Sequence, residues 1–505
     1  MALYLKSNNL DVETGNELEV LLNADDARKE GINKGDIVSF SFQNDVVLYV
    51  VVEVTDSVVP EGHVGINEDI WSRYGIHQGD TITITIIDRP ESLEYIKKKL
   101  LGSKLSAHEL EVITQDISDR KIREVEIAYF MATFFNPGFD EEEVLATIHG
   151  MAKAGDVLDF RNVKENGNMV VDKHSIGGVA AKGITPILVP IIAAHGLVIP
   201  NTSTRAITTP AGTTDILEVI MPMTHTNEEL YEIIKKTGAF MIWGGALRLS
   251  PADDVLIGVE RGLHVQSFQK LLVSIIAKKV SMGITHIVID IPYGPGTKVE
   301  KPDDVEFLST EFKKLFAKVG IKCETYTRRV VAPDGYGIGP ALEVRDILQV
   351  FERHPERPMK LEETAVDMAG VLLELTEKVP VGEGRRAALQ KLDSGEAAEK
   401  FWEIAMAQGA PGKKTSEEIK IGDYEQKFMA ERDGIIDFVD NKEIVKISRA
   451  LGNPFIKEAG VYLHKTAGDK VEKGELLLTI YATSGERLDT GIEALNMEKL
   501  FVYKQ

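Results

Sequence analysis

The sequence predicts an α/β multidomain protein. It is expected to hold a small β-barrel N-terminal domain over 1–88, a helical domain over 89–162, and a central α/β domain with a mixed or parallel sheet over 163–410. A C-terminal α+β domain of barrel-sandwich type is expected over 425–505. Three observations carry this. The chain has 505 residues, more than one hydrophobic core can serve, so about three or four domains are expected. Its pattern passes from β-branched runs to amphipathic helices, then to alternating strands and helices, then back to strands. Breaks such as Arg89-Pro90 and Ala410-Pro411-Gly412-Lys413-Lys414 separate the regions.

The barrel is read from an internal echo. Gly31-Ile32-Asn33-Lys34-Gly35-Asp36 leads into Ile37-Val38-Ser39-Phe40, and Gly75-Ile76-His77-Gln78-Gly79-Asp80 leads into Thr81-Ile82-Thr83-Ile84. Each copy reads as a helix ending at glycine, a Gly-Asp turn and a β-branched strand. Gly-Asp turns are common, but a duplicated helix-turn-strand unit points to a pseudo-two-fold barrel. The pattern resembles the double-psi barrels that serve as amino-terminal adaptor domains.

Ser106 with Glu109, and Asp140 with Glu143, have capping-box spacing. Helices are therefore expected to about Lys153, with part of 220–245 packing on them. From about Val163 the pattern is α/β. Met169-Val170-Val171 reads as a short strand followed by a Gly-rich turn, and 184–200 as a buried helix running into a strand. The stretch 286–291 reads as an apolar, buried parallel strand that ends in Tyr293-Gly294-Pro295-Gly296. Such alternation argues a parallel or mixed sheet covered by helices, with ligands outside the carboxyl ends of its strands. In the last domain, Gly468-Asp469-Lys470-Val471-Glu472-Lys473-Gly474-Glu475 resembles one half of a biotinyl/lipoyl-type barrel. The modified lysine between two hydrophobic turns is absent, so a structural role is favoured over a swinging-arm carrier.

Composition narrows the function. The chain is 43% hydrophobic and 27% charged, with a net charge of −21. An acidic surface repels nucleic acid and anionic membranes, so neither is expected as a partner. Any phosphate site must then gather its own cations and amide donors. Cys323 is the single cysteine, which excludes a disulfide framework or a cysteine zinc site; it reads as a buried small residue in a strand. No secretory signal is legible at the start. The longest apolar run, 184–200, contains Pro186, Pro190 and His195 and falls short of the ~20 residues of a membrane span. A cytoplasmic location is expected.

Two segments carry chemistry. Asp172-Lys173-His174-Ser175-Ile176-Gly177-Gly178 is placed where a strand ends and a helix begins. Adjacent glycines allow close backbone approach, the following helix offers N–H groups, and Lys173 and Ser175 add a charge and a hydroxyl. It is neither a Walker loop nor a dinucleotide fingerprint. Taken alone, Lys-His-Ser would be a surface loop. The second segment, 203–218, has six hydroxyl side chains and Arg205 before an acidic helix start. Taken alone it would be a Thr-rich turn. Two anion-friendly loops in one α/β domain argue for a phosphate site.

Ser-x-Arg-x-x-x-x-x-x-Gly-Thr-x-Asp-x-x-Glu, read at Ser203 to Glu218, resembles the signature of the thymidine and pyrimidine-nucleoside phosphorylases. Lys173-His174-Ser175 followed by Gly177-Gly178 resembles their phosphate loop. Arg205-Ala206-Ile207-Thr208 and the extra barrel are similar to the archaeal-type (type 2) branch, which includes AMP phosphorylases and bacterial thymidine phosphorylase-like proteins. The resemblance covers essentially the whole chain. It implies phosphate against Lys173, Ser175, Gly178, Ser203 and Thr213, with Thr185 where the family has another hydroxyl. It implies His174 on the nucleobase or sugar side, and Ser274 and Lys278 as the base-contacting pair. In the AMP branch Gly178, Thr204, Arg205, Ala206, Ile207, Thr208, Thr209, Thr213, Ser274 and Lys298 would line the nucleotide, with Lys298 as partner of a 5′-phosphate. The catalytic positions implied are His174, Lys278 and Gln266.

Ser274 and Lys278 are four apart and share a helix face. A hydroxyl beside a cation suits a pyrimidine carbonyl that gains negative charge as the base leaves, although Lys278-Lys279 alone would read as a solvated helix end. Two departures stand out. The AMP branch carries a carboxylic acid near Gln266, thought to protonate the leaving base. Glutamine can donate a hydrogen bond but cannot give up a proton, which tilts the reading to a pyrimidine. After Gly178 the chain reads Val179-Ala180-Ala181-Lys182-Gly183 where the branch usually has Gly-Asn. Lys182 either supplies charge there or marks a differently shaped loop.

The expected activity is a pentosyl transfer: thymidine plus phosphate giving thymine and 2-deoxyribose 1-phosphate. The alternative is an AMP phosphorylase giving ribose 1,5-bisphosphate and free base, and a lesser one is a non-catalytic adaptor or carrier. A phosphoribosyltransferase would usually need an acidic metal-binding pair, which the sequence does not show convincingly. Phosphate is a substrate, and no metal or organic cofactor is expected. The nucleoside is expected between the helical and α/β domains, with closure excluding water. The resemblance implies a homodimer or larger homo-oligomer.

Overall fold

The duplicated Gly-Asp turns build a closed six-stranded barrel in a computed structural model that describes residues 2–14, 18–43, 46–161, 163, 169–206, 209–263 and 267–504. Its strands are β1 (Ala2–Asn9), β2 (Glu19–Asn23), β3 (Ile37–Phe42), β4 (Val46–Thr55), β5 (His63–Ile66) and β6 (Thr81–Ile86), in the order β1-β5-β2-β4-β3-β6. Helices α1 (Ala24–Glu30) and α2 (Glu68–Tyr74) end at Gly31 and Gly75, both left-handed at φ 74° and 63°. Asp36 and Asp80 then accept the N–H of Asn33 and His77 at 2.7 and 2.8 Å. Exchanging β1 with β4, β2 with β5 and β3 with β6 reproduces the pairing. The parallel pair β1–β5 becomes β4–β2, and the antiparallel pair β1–β6 becomes β4–β3. Alternate residues, including Val38 and Phe40 of β3, Val50 and Val52 of β4, and Ile82 and Ile84 of β6, fill the interior.

Four helices follow: α3 (Ser92–Leu100), α4 (Ala107–Ser118), α5 (Glu124–Ala132) and α6 (Glu141–Lys153). Both expected capping boxes are present, at Ser106 and Asp140. Within its box Glu143 also receives the Lys99 ammonium at 2.7 Å and the Leu105 N–H at 2.8 Å. Lys99 and Glu143 are 4% and 2% exposed, so each charge depends on the other. The barrel and these helices form one unit, Met1–Gly155 with Ser250–Ala277.

The second unit, Asp156–Leu249 with Lys278–Gln505, holds the sheet. Its first elements are β7 (Val171–Ser175), α7 (Ile184–Ala194), β8 (Ile199–Ser203), α8 (Thr213–Leu217), α9 (Asn227–Thr237) and β9 (Ala239–Trp243). The chain returns to the first unit through α10 (Pro251–Leu263) and most of α11 (Phe268–Ser281), then adds β10 (His286–Tyr293), α12 (Pro302–Lys318) and β11 (Lys322–Arg329). Strands β11, β10 and β7 pair in parallel, as do β8 and β9, and a parallel bridge between Val170 and Val198 links the two groups. Helix α7 is apolar all round. Its Ile184, Ile187, Leu188, Ile191 and Ile192 sit in a core with α13 (Pro340–Phe351), α14 (Met359–Leu375), α15 (Gly384–Asp393) and α16 (Glu396–Ala407). Among the described residues no helix is long and apolar enough to cross a membrane.

One expectation is corrected. The strand after Met169 is Val171–Ser175, not 169–171, because pairing with β10 continues from Val171–His286 to Ser175–Asp290. Lys173, His174 and Ser175 therefore stand at the end of a strand and not in a loop. The segment grouped with the helices is Ser250–Ala277. Strand β9 is held by its parallel pairing with β8, and the Tyr231 ring of α9 lies tilted against Phe160 at 4.9 Å.

The last part holds short strands in two groups. Gly337–Ile338, Gly460–Leu463, Leu476–Ala482 and Tyr424–Met429 form one, in that order; Lys470–Val471, Gly434–Val439 and Phe501–Tyr503 form the other. Their core includes Ile436, Ile447, Val461 and Ile480, and it takes in Ala180 and Ala181 from the loop between β7 and α7.

Glu143→Ala strands the Lys99 ammonium in the interior. It is expected to destabilise the first unit by about 3–5 kcal/mol, read as faster hydrogen exchange of the α4 and α6 amides. Unchanged protection there would show that the pair is dispensable.

Candidate functional site

The site begins with a buried carboxylate. Asp172 in β7 is 0% exposed. It receives the Lys279 ammonium at 2.5 Å and the Asn201 amide at 2.8 Å. Lys279, from the last turn of α11, is thus buried in an ion pair and is no solvated helix end. Next along β7, Lys173 is 4% exposed and donates to the Thr185 hydroxyl at 3.0 Å in the first turn of α7. Burial, with the charges of Lys182 and Arg328 nearby, brings the Lys173 ammonium down to about 7. Burial and the charges of Lys279, Lys173 and Lys278 hold His174 well below its ordinary value, so its imidazole is neutral at pH 7.

Ser175 ends the strand in register with Asp290 of β10 and donates to its carboxylate at 2.7 Å. Asp290 is fully buried. It also meets Lys182 at 3.1 Å and Arg328 of β11 at 3.2 Å, and Arg328 makes a two-pronged pair with Asp334 at 2.6 and 2.7 Å. These cations hold the Asp290 carboxyl well below the usual range despite its burial. The Lys182 ammonium also touches the Ser175 hydroxyl.

The loop after Ser175 lies close against its surroundings. Gly178 has φ 91°, and a Cβ there would stand 2.7 Å from the Lys298 backbone nitrogen. No other residue fits both demands, and the contact brings Lys298 beside the Gly-Gly turn. The expectation that the next helix follows at once and offers its amides is corrected. Helix α7 begins only at Ile184. The intervening N–H groups of Ala180 and Lys182 donate to Asn441 at 3.1 Å and Glu343 at 3.0 Å. Burial raises the Glu343 carboxyl well above its ordinary value.

The second loop follows β8. Ser203 donates to the Ile242 carbonyl at 3.1 Å and bonds the Thr214 hydroxyl at 2.8 Å, beside Thr213 at the start of α8. Asp215 closes the loop by accepting the N–H of Ala206 and of Gly212 at 2.7 and 2.8 Å. Arg205 pairs with Glu218 at 2.9 Å and lies 4.8 Å over the Trp243 ring, and Lys457 meets Glu218 at 3.0 Å. The guanidinium is thus engaged by protein groups. Thr209 donates to the Ala211 carbonyl at 2.9 Å, and Thr204 is exposed.

The two segments meet through Asn201. Its amide bonds Asp172 at 2.8 Å and the Lys173 carbonyl at 3.3 Å. Two residues on, and so on the same face of β8, Ser203 reaches the start of α8. Lys173 and Ser175 stand at the carboxyl end of β7 and Ser203 at that of β8, while Thr185 lies in the first turn of α7 and Thr213 opens α8. Ser274 lies in the first unit and donates to Asp253 at 2.6 Å. Lys278 lies in the second unit, near enough to His174 to depress its protonation. Ile207, Thr208 and Gln266 lie outside the described residues.

Sequence reasoning missed Asn201, Asp290, Arg328, Glu343 and Asn441. For two the signal was present: Asp290 is a charge inside the stretch read as apolar, and Asn201 an amide just after the apolar run 184–200. Arg328, Glu343 and Asn441 lie far along the chain and carry no local mark.

Residues 167–398 match the family model described as glycosyl transferase family, a/b domain, and residues 435–499 match the pyrimidine nucleoside phosphorylase C-terminal domain. The chain is 39% identical over 492 residues to the AMP phosphorylase of Thermococcus sibiricus, covering 97% of this chain and 96% of that one. It is 40% identical over 483 residues to the AMP phosphorylase of Pyrococcus furiosus, covering 96% and 94%. The AMP phosphorylase of Methanocaldococcus jannaschii is 37% identical over 492 residues, covering 97% and 96%. Among solved structures, an anthranilate phosphoribosyltransferase from Thermus thermophilus is similar over 62% of this chain and 99% of that one. Its TM-score is 0.50 at 18% identity, a likeness of fold alone.

An anion bound here favours the protonated form of Lys173, which sits near pH 7 in the free protein. Above that pH a bound dianion must draw in a proton. Sulfate keeps its charge across this range, so its affinity is expected to fall by up to about tenfold per pH unit above 7 through Lys173. Thermal shift with sulfate between pH 6.5 and 9 measures this. A flat profile would show that Lys173 does not meet the anion.

Proposed function

The chain belongs to the thymidine and pyrimidine-nucleoside phosphorylase family, in its archaeal-type branch, and on that premise we propose that it phosphorolyses nucleoside 5′-monophosphates. The products would be a free base and ribose 1,5-bisphosphate. The observation that carries this reading is the near-full-length similarity to relatives named AMP phosphorylase. It is preferred to the thymidine reaction expected from the sequence. Lys298, packed beside Gly178, is the proposed partner of the 5′-phosphate.

In the proposed reaction inorganic phosphate lies against Lys173, Ser175, Gly178, Ser203 and Thr213, with Thr185 fixing the Lys173 ammonium. A phosphate oxygen attacks C1′ as the bond to the base stretches and the ribose takes on oxocarbenium character. The bonding electron pair leaves with the base. Lys278 and Ser274, on one face of α11, would stabilise the charge that develops on it. His174 would contribute an N–H and not a charge, because its imidazole is neutral. Holding phosphate and sugar in line supplies most of the rate gain in such a scheme. It draws on side chains of this chain and on phosphate, with no cofactor.

A second reading rests on Gln266. It stands near where the branch carries the acid that protonates a purine, and an amide gives up no proton. A pyrimidine base leaves as a stabilised anion and needs that proton less, so a pyrimidine nucleoside such as thymidine remains the competing substrate.

A panel of AMP, CMP, UMP, thymidine and uridine, assayed for base release with and without phosphate, decides between the two. Release from monophosphates alone is expected, and Lys298→Ala should raise KM for them by about tenfold or more, the loss of one charge-assisted contact. Turnover of thymidine in preference to every monophosphate would transfer the assignment to the second reading. Lys173→Ala is expected to lower kcat/KM by at least about 100-fold with any substrate, on the scale of removing one charged stabilising group. Wild-type turnover by that variant at low phosphate would show that the cradle lies elsewhere.

A further inference from the structure

We propose that Lys182 is a second cation for inorganic phosphate, held on Asp290 and Ser175 in the free protein and handed to the phosphate when it binds. The inference rests on the phosphorolysis reading and adds a residue to its anion site.

Lys182 is seven residues beyond Ser175 in the same loop, and its ammonium meets both the Ser175 hydroxyl and, at 3.1 Å, the Asp290 carboxylate. Lys182 is one of several partners of Asp290. The Ser175 hydroxyl donates to Asp290 at 2.7 Å and Arg328 reaches it at 3.2 Å, while Arg328 is itself fixed by two bonds to Asp334. If Lys182 swings away, the buried carboxylate keeps two donors. Around Ser175 three cations, Lys173, Lys182 and Arg328, face two carboxylates, Asp290 and Asp334. With Lys173 protonated the surplus is one positive charge, in a protein whose net charge is −21. A hydrogen phosphate dianion needs more than that one charge, and Lys182 is the cation whose present partner is already served by others.

The backbone around Lys182 is fixed, so the transfer is a side-chain motion. Its N–H donates to Glu343 at 3.0 Å, and the preceding residue, Ala181, accepts from Gly335 at 3.1 Å. The Lys182 side chain is 15% exposed against 0% for Asp290, so the lysine, not the aspartate, is the member of the pair that keeps some surface. The anion could be inorganic phosphate or the 5′-phosphate of the substrate. Contact with Ser175 and the charge Lys182 exerts on Lys173 favour the former. Lys298, packed on Gly178, is the cation proposed for the latter.

The test compares wild type, Lys182→Met and Lys182→Arg for KM of phosphate and KM of the 5′-monophosphate, with thermal midpoints as a fold control. Lys182→Met should raise the phosphate KM by about tenfold or more and leave the nucleotide KM within about twofold, while Lys182→Arg restores most of the phosphate affinity. A brace acting only on structure would lower the midpoint and kcat without splitting the two constants, and that result overturns the proposal. A rise confined to the nucleotide KM overturns it too, since Lys182 would then serve the 5′-phosphate. If Lys182→Met does not fold, Lys182→Gln, which can still bond Asp290, takes its place under the same criteria. Calorimetric titration with inorganic phosphate separates this inference from the reading beneath it. A wild type that releases no base yet loses phosphate binding in Lys182→Met defeats the phosphorolysis reading and keeps the cation. Equal phosphate binding by wild type and variant defeats the cation alone.

Discussion

Asp172 is the point from which the site is built. A carboxylate removed from water is costly unless it is matched by charge and hydrogen bonds, and here both are present. Lys279 supplies the charge and Asn201 the amide. That single group therefore fixes the last turn of α11 and the middle of β8 against β7. Lys173 follows it on the strand, directed by the Thr185 hydroxyl, and Ser175 follows in register with Asp290. Lys279, Lys182 and Arg328 are each met by a buried carboxylate of the parallel sheet, and Lys173 by a hydroxyl in the first turn of α7.

This arrangement answers a problem set by composition. With a net charge of −21, the protein's overall field opposes a phosphate ion. The site answers with short-range terms. Lys173, Lys182 and Arg328 lie where water is largely excluded and their attraction is least screened. The opposing carboxylates, Asp290 and Asp334, are turned into pairs with those cations. Crowding has a chemical result: Lys173 sits near neutrality and His174 is uncharged. The free protein thus keeps its positive charge adjustable, and an arriving anion can complete it.

Much of this was legible in sequence because it is local. Gly-Asp echoes at 31–36 and 75–80 give a duplicated turn, and capping boxes at Ser106 and Asp140 start helices by near-neighbour bonds. The hydroxyl-rich stretch from Ser203 gives an ordered loop because Asp215 lies nine residues from Ala206. What was not legible depends on pairing across the fold. Strand β7 extends through Lys173 and Ser175 because β10, more than 100 residues later, offers it an edge. Helix propensity and turn chemistry say nothing about that edge. Asp290 was overlooked because its neighbours are apolar, which describes the faces of a buried strand but not the one position that ends beside Ser175. Gln266, Ile207 and Thr208 lie outside the described residues, so their placement adds nothing to this comparison.

The loop that carries Gly177 and Gly178 is finished by residues far downstream. Asn441 takes the amide of Ala180 across 261 positions, and Ala180 and Ala181 belong to the apolar core of the final strands. A ribosome therefore releases the strand end, with Lys173 and Ser175, long before anything exists to seat the turn beyond it. The proposed anion cradle is thus a late product of synthesis, its turn seated only when the carboxyl-terminal strands emerge. Shortening the chain from that end removes the support of this turn before it touches any residue proposed to face a ligand.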